Sequence, residues 1–279
     1  MGNPPPPTSI TQEPFENDGR HLKRLAQSSP GTIPSSADLY EYIHDALHTK
    51  IDTRLLRYVL PFCLDVWRQD LRGEGTGYGG MIEYLYVLLA KPEVFDKHLL
   101  PVQATAASSF MRATILDEID DQRGLAYQGS QARPYRWIHA LTTYGVLRTD
   151  IHLLGNEWWA LTTVGRAIAF LQYISSLMYA ENENPIFTPW TPNAGGGPPS
   201  LTEFAGHLYE HCWLPSNIEF LRSILINVNI EEHLHRSVGI LESEPEFSIA
   251  KQIESDWPLC DDFVRQKCNE LCAALATKH

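Results

Sequence analysis

Seven apolar side chains, Leu55, Leu56, Val59, Leu60, Cys63, Leu64 and Trp67, recur at three- and four-residue intervals. An α-helix gathers such positions on one face, and a stripe that broad has to be buried against other elements. Pro61 falls within it, so the helix kinks there or two helices meet at Leu60. The same spacing recurs along the chain. Leu39, Ile43 and Leu47 follow Ser35 and Asp38, which make a variant of the capping box. Residues 81–90 form an apolar helix that Lys91-Pro92 ends, and a short helix runs to about Leu100. Pro101 suits the first turn of another, with Met111, Ile115 and Ile119 on one face.

The middle of the chain changes character. Arg133-Pro134 opens a helix through Trp137, Leu141 and Tyr144, closed by Gly145. The runs 146–154 and 158–161, separated by Gly155-Asn156, give a hairpin signal. Thr162 or Thr163 then caps a helix from Val164 to about Met178. Residues 181–200, with Pro185, Pro189, Pro192 and three consecutive glycines, hold neither helix nor central strand. Ser200 with Glu203 is a full capping box that starts a helix through Trp213. Further helices are expected over 216–228, 232–241, 245–253 and 258–277.

The fold expected is mainly α. It is a multi-helix single body with a small β-hairpin in its middle. Residues 1–36 form a disordered, proline-rich leader, too poor in apolar residues to offset the entropy of ordering. The helical region spans 37–180, a Pro/Gly-rich loop spans 181–200, and a C-terminal helical region, 201–279, packs on the same body. Hydrophobic residues make up 43% of the 279 and charged ones 20%, a globular mixture. No run reaches the roughly 18 apolar residues of a membrane span, since Arg166 and Gln172 interrupt the most apolar stretch. The first residues have neither a basic start nor an apolar core, so no secretory signal is expected. Five cysteines, an odd number, suit reduced thiols in a cytoplasm.

From about residue 104 to 178 the order of elements resembles a winged-helix domain. A helix ends in Gly145-Val146-Leu147, a hairpin follows, and Trp159-Ala160-Leu161-Thr162-Thr163-Val164-Gly165-Arg166 leads into the last helix. The resemblance covers about a quarter of the chain. It implies a recognition helix from Arg133 to Tyr144 and a wing over 147–160. Arg133, Arg136 and Arg148 would then meet DNA phosphates. No middle helix is visible between Asp121 and Arg133, a departure from the family pattern. The charge is also against DNA, because residues 104–166 sum to zero.

Glu203, His207 and His211 sit at successive four-residue steps on one helical face, and Glu232, His233 or His235 on a later helix would complete the set. Such a set could ligate zinc or another divalent metal, with Glu203 or Glu210 as the base of a metal-dependent hydrolase. Neither a His-Glu-x-x-His string nor a paired Cys-x-x-Cys accompanies it, and His44 and His48 show the same spacing without further ligands. The glycine-rich stretch 73–80 lacks the preceding strand and following Lys-Ser or Lys-Thr of a phosphate loop, so it reads as an inter-helix loop. Asp117, Glu118, Asp120 and Asp121 read as a solvated helix face.

Thirty-four acids against 22 bases give a net charge of −12. That balance repels nucleic acid and anionic membranes and attracts a basic protein. The leading expectation is therefore a non-catalytic, acidic interaction or regulatory protein, of inhibitor or immunity type, with no cofactor and a protein partner. Phe187, Trp190 and Trp213 are the aromatic anchors expected at that contact. Trp158 and Trp159 are either anchors of the same kind or core. The winged-helix DNA regulator and the metal-dependent hydrolase are the two alternatives.

Overall fold

The computed structural model describes residues 5–15, 17–29, 31–72, 80–91, 93–126, 150–178, 222–223, 226 and 228–276. Every regular element among them is helical. The chain gathers into two compact units that divide after Met111.

The first unit contains α1 (Arg20–Ala26), α2 (Ser36–His48), α3 (Thr53–Leu71) and α4 (Gly80–Ala90). A single wide turn, Val94–His98, follows, in which Leu99 N–H reaches back to Val94 O. Ser35 caps α2 as its sequence suggests, its hydroxyl accepting from Asp38 N–H at 3.2 Å. Asp52 caps α3 twice over, with Oδ1 accepting from the N–H groups of Arg54 and Leu55. α3 runs unbroken through Pro61. The residues on either side of the proline explain why. Leu55, Leu56, Val59 and Leu60 before it, and Cys63, Leu64 and Trp67 after it, are all buried, so one face holds both halves to the same core. Trp67 Nε1–H donates to the buried Tyr86 hydroxyl at 3.0 Å, joining α3 to α4. Lys91, just past α4, donates to the terminal carbonyls of α2 at Ala46 and Leu47, 3.0 and 2.8 Å away. A cation is favoured at that helix end. Burial pulls the Lys91 ammonium below its ordinary pKa, with Glu93 opposing.

α5 (Pro101–Asp120) opens on proline, and Gln103 Oε1 returns to accept from Leu100 N–H at 3.1 Å. Met111, Ile115 and Ile119 are fully buried along it.

The second unit is built around α7 (Val164–Met178), which α6 (Asp150–Trp159), α8 (Ile230–Ile240), α9 (Phe247–Asp256) and α10 (Asp261–Ala276) contact. A 3-10 turn, Trp257–Leu259, links the last two. α7 is buried on nearly every side, which accounts for its largely apolar composition. No helix among the described residues is long and apolar enough to cross a membrane.

Two readings of the sequence need correction. Residues 150–159 are helix α6, where a wing hairpin was expected. Ile151, Leu154, Trp158 and Trp159 are buried together, following the helical period, and Gly155-Asn156 sits inside the helix without turning the chain. The turn comes later, at Leu161, whose φ of 49° is left-handed although the residue is not glycine. That costs about 1–2 kcal/mol and is offset by burying the Leu161 side chain. The second correction concerns the leader. Residues 20–26 form α1, with His21, Leu22 and Leu25 buried, and the chain before it is tied to α2 and α3 by hydrogen bonds. Counting apolar residues overlooked those bonds.

Candidate functional site

In the first unit the buried polar groups converge on three aspartates seven residues apart. Asp38 and Asp45 lie on α2, two turns from one another, and Asp52 caps α3. All three are buried, and each holds the N-terminal segment. Arg24 Nε–H donates to Asp38 Oδ1 at 2.9 Å. His21 Nε2 lies 2.8 Å from Asp45 Oδ2, and Phe15 N–H donates to Asp45 Oδ1 at 3.0 Å. Thr11 donates twice to Asp52 Oδ2, from N–H at 2.7 Å and hydroxyl at 2.9 Å. Burial pushes the Asp38 carboxyl up, but the hydrogen bonds from Arg24 and Ser35 and the charges of Arg24 and His21 leave it below its ordinary value. Asp52 shows the same balance, with Thr11, Leu55 and Arg54 outweighing burial. Beside these bonds the Phe15 ring stacks on His48 at 4.2 Å, and His44 packs edge-on to Tyr84. The chemistry of this cluster is adhesion, because each carboxylate already accepts from two or more donors.

The second unit has a comparable node. Arg166 binds Asp120 in a two-pronged contact, Nε to Oδ1 at 2.8 Å and Nη2 to Oδ2 at 3.0 Å. Its Nη1 donates to Glu157 O and Thr162 Oγ1. Thr163 caps α7, accepting from Arg166 N–H at 3.1 Å while donating to Asp120 Oδ1 at 2.6 Å. Asp120 is thus a structural anchor, where the sequence read as a solvated face. Nearby, Glu246 Oε1 accepts from Gly124 N–H at 2.8 Å, and Gln172 donates to Gly124 O.

Among the described residues, α8, α9 and the start of α10 carry a strongly acidic stretch. Between residues 230 and 262 nine acidic side chains face two basic ones, a local balance of −7. Glu231, Glu232, Glu242 and Asp262 are exposed. Lys251 is drawn over the Phe247 ring, 4.8 Å from its centre. Arg265 is held by Asp261 at 2.7 Å and donates to Ile226 O. On the adjoining turn Leu259 is 85% exposed, and Phe263, one helical turn on, is 42% exposed.

Of the expected metal ligands, Glu232, His233 and His235 fall among the described residues, and His235 Nδ1 lies 3.1 Å from Glu254 Oε1. His233 Nδ1 lies 2.9 Å from the carbonyl oxygen of Asn229, the residue that caps its helix, and the His233 ring packs against Trp159 and Phe170. Glu203, His207 and His211, the other expected metal ligands, lie outside the described residues. So do Phe187, Trp190 and Trp213, and Arg133, Arg136 and Arg148. No group of three or more His, Cys, Asp or Glu side chains placed for a metal ion occurs among the described residues. Trp158 and Trp159 resolve toward core, at 0% and 5% exposure. The sequence reading missed Leu259 and Phe263. Their signal was available, since Trp257, Val264 and Cys268 mark one face of that stretch and leave 259 and 263 on another.

No protein-family model matches the chain, and neither a curated protein nor a solved structure does.

Proposed function

We propose that this chain is a non-catalytic, acidic interaction or regulatory protein whose partner is a basic protein. The observation that carries the reading is the concentration of acid on α8, α9 and the start of α10. More than half of the chain's net charge sits in 33 residues there, where nine acids face two cations, one of them, Lys251, drawn over the Phe247 ring. Such a surface speeds the approach of a basic partner and disfavours nucleic acid and anionic lipid. The buried carboxylates support the same reading. Asp38, Asp45, Asp52, Asp120 and Glu246 hold segments of the chain together, each accepting hydrogen bonds from a distant part of it.

Affinity capture with the full-length chain, from the host in which it is found, tests the proposal. A reproducible partner with a basic isoelectric point, released as salt shortens the range of charge interactions, is the expected result. Its absence across low and high salt, or a partner that ignores charge neutralisation on α8–α10, would overturn it.

A further inference from the structure

The contacts that hold the N-terminal strap, residues 9–26, have the form of peptide recognition. Residues 9–15 and 17–19 lie in neither helix nor strand, and their hydrogen bonds run to α2 and the start of α3. Arg54 Nη2 donates to Ser9 O and Ser9 Oγ, both at 3.2 Å. Gln12 Oε1 accepts from Asp52 N–H at 3.3 Å, and Asn17 Nδ2 donates to Glu41 Oε2 at 3.1 Å. With the bonds of Thr11, Phe15, His21 and Arg24, they form a row of matched partners in register. Main-chain and side-chain bonds of this kind are how a folded face selects a peptide. The connector stands apart from these contacts. Residues 27–35 join α1 to α2, and the bonds along them are local: Ser28 Oγ donates to Arg24 O at 2.9 Å and Thr32 N–H to Ser29 O at 3.0 Å. Ile33 is 78% exposed, and a Cβ built at Gly31 meets nothing within 4 Å. Recognition therefore resides in the strap and the face, and the connector only joins them.

We propose that the strap is exchangeable: the face formed by α2 and the start of α3 takes residues 9–26 of a second copy of the chain, and two copies trade straps. A second copy is the favoured occupant because it carries the required order by identity. Thr11, the Phe15 N–H, His21 and Arg24 stand at the offsets that Asp52, Asp45 and Asp38 accept. Exchange remakes every contact it breaks and alters the connector alone. Nine residues extend to about 30 Å, farther than two packed helices are wide. In dilute solution the tethered strap prevails, since a short flexible link holds it at an effective concentration in the millimolar range. This inference stands apart from the acidic surface on α8–α10, which belongs to the second unit.

Reciprocal charge reversal in the full-length chain tests it. The Arg24–Asp38 pair is suited to this because the Arg24 side chain is 59% exposed. Arg24→Glu sets two acids against each other when a strap lies on its own chain, and Asp38→Lys sets two cations against each other. In an exchanged pair of the two variants, each reversed side chain meets its opposite. Sedimentation of the mixture, after incubation warm enough for straps to open, should show a dimer at concentrations at least roughly tenfold below those at which either variant alone dimerises. A mixture that dimerises no better than its components overturns the proposal. Circular dichroism and thermal unfolding check each variant. Should Asp38→Lys fail to fold, the assay uses Arg24→Glu, whose face is native, with a fluorescent peptide of residues 5–27. The native peptide should bind it roughly tenfold tighter than a peptide carrying Arg24→Glu, and equal affinity overturns the proposal. A native peptide that binds while the variant mixture stays monomeric also overturns it, by making the face a site for another protein's segment.

Discussion

Among the described glycines of the second unit, Gly165 is the one where adding a methyl group should do most damage. A Cβ built there would lie 2.0 Å from Asp120 O, 2.4 Å from Asp120 C and 2.6 Å from Ile119 O, against an ordinary contact of 3.4–4 Å. All three neighbours are backbone atoms of α5, so no side chain can rotate away. To accept Gly165→Ala, α7 has to withdraw from the end of α5 by roughly 1.4 Å. Overpacking of this kind costs about 1–3 kcal/mol. The withdrawal also stretches the two-pronged Arg166–Asp120 contact and the Thr163–Asp120 hydrogen bond. Hydrogen bonds to charged groups are worth about 1.5–3 kcal/mol each, and part of that is lost. Alanine returns about 1 kcal/mol through its helix propensity. The net expectation is destabilisation by about 2–4 kcal/mol. With a slope near 2 kcal/mol per molar urea, the unfolding midpoint falls by about 1–2 M. Tryptophan fluorescence reads the transition, since Trp158, Trp159 and Trp257 are buried in the same unit. Gly239 provides the control. It lies in α8, and a Cβ there meets nothing within 4 Å. Gly239→Ala should therefore stabilise, by about 0.5–1 kcal/mol. A Gly165→Ala variant as stable as the parent, or a matching loss in both variants, would refute the close approach of α7 to α5.

Three further perturbations address the first unit. Asp45→Ala takes the acceptor from Phe15 N–H and from the buried His21 ring; a loss of about 2–5 kcal/mol in urea unfolding is expected, and a change under about 0.5 kcal/mol would show the pairing to be idle. Asp38 and Asp52 have folded pKa values below their unfolded ones, so the stability they contribute is present above about pH 4 and disappears as pH falls through the folded values. Pepsin should then cut between Phe15 and Leu25 at the lowest pH and spare that segment when assayed nearer pH 4, whereas equal cutting at both would contradict the tethering. Burial pushes the Cys63 thiol up to about 12, so iodoacetamide at pH 8 should leave it unmodified in the native protein and label it in denaturant, as peptide mass spectrometry would record.

The helices that the sequence displayed openly are those in which one physical signal acted alone. Ser35 three residues before Asp38 is a local cap, and local geometry realises it whatever lies beyond. The buried stripe on α3 overrode Pro61, because burial of seven side chains outweighs the roughly 3 kcal/mol that an interior proline costs. At 150–159 two signals competed. Gly155-Asn156 is good turn chemistry, but a turn there would separate Ile151 and Leu154 from Trp158 and Trp159, which the helix buries together. The tertiary gain from two tryptophans settled it, and no reading of the dipeptide alone contains that term. The node at Asp120 was hidden for a related reason. Asp120 and Arg166 are 46 residues apart, and an acidic run on a helix face looks the same in sequence whether it meets solvent or a guanidinium.

The N-terminal segment shows how polar spacing can specify order that apolar content does not. Asp38, Asp45 and Asp52 ascend along the chain, while the groups they bind descend: Arg24, then His21 and Phe15 N–H, then Thr11. Reversed order means that the segment runs antiparallel to α2 and on to the start of α3. Each contact fixes the register of the next, so displacing the segment by one residue would break several bonds at once. Leu22 and Leu25 supply some burial, but two leucines, at about 1.5–3 kcal/mol each, do not offset the ordering of more than a dozen residues at about 1–2 kcal/mol apiece. The carboxylates make up part of that difference and, being buried, would be left costly and unpaired if the segment departed. Its retention is therefore tied to the carboxylates beneath it, and at Asp38 and Asp52 to their ionised form. A stretch with the composition of a loose tail is ordered here because its few donors match the spacing of the acceptors beneath it.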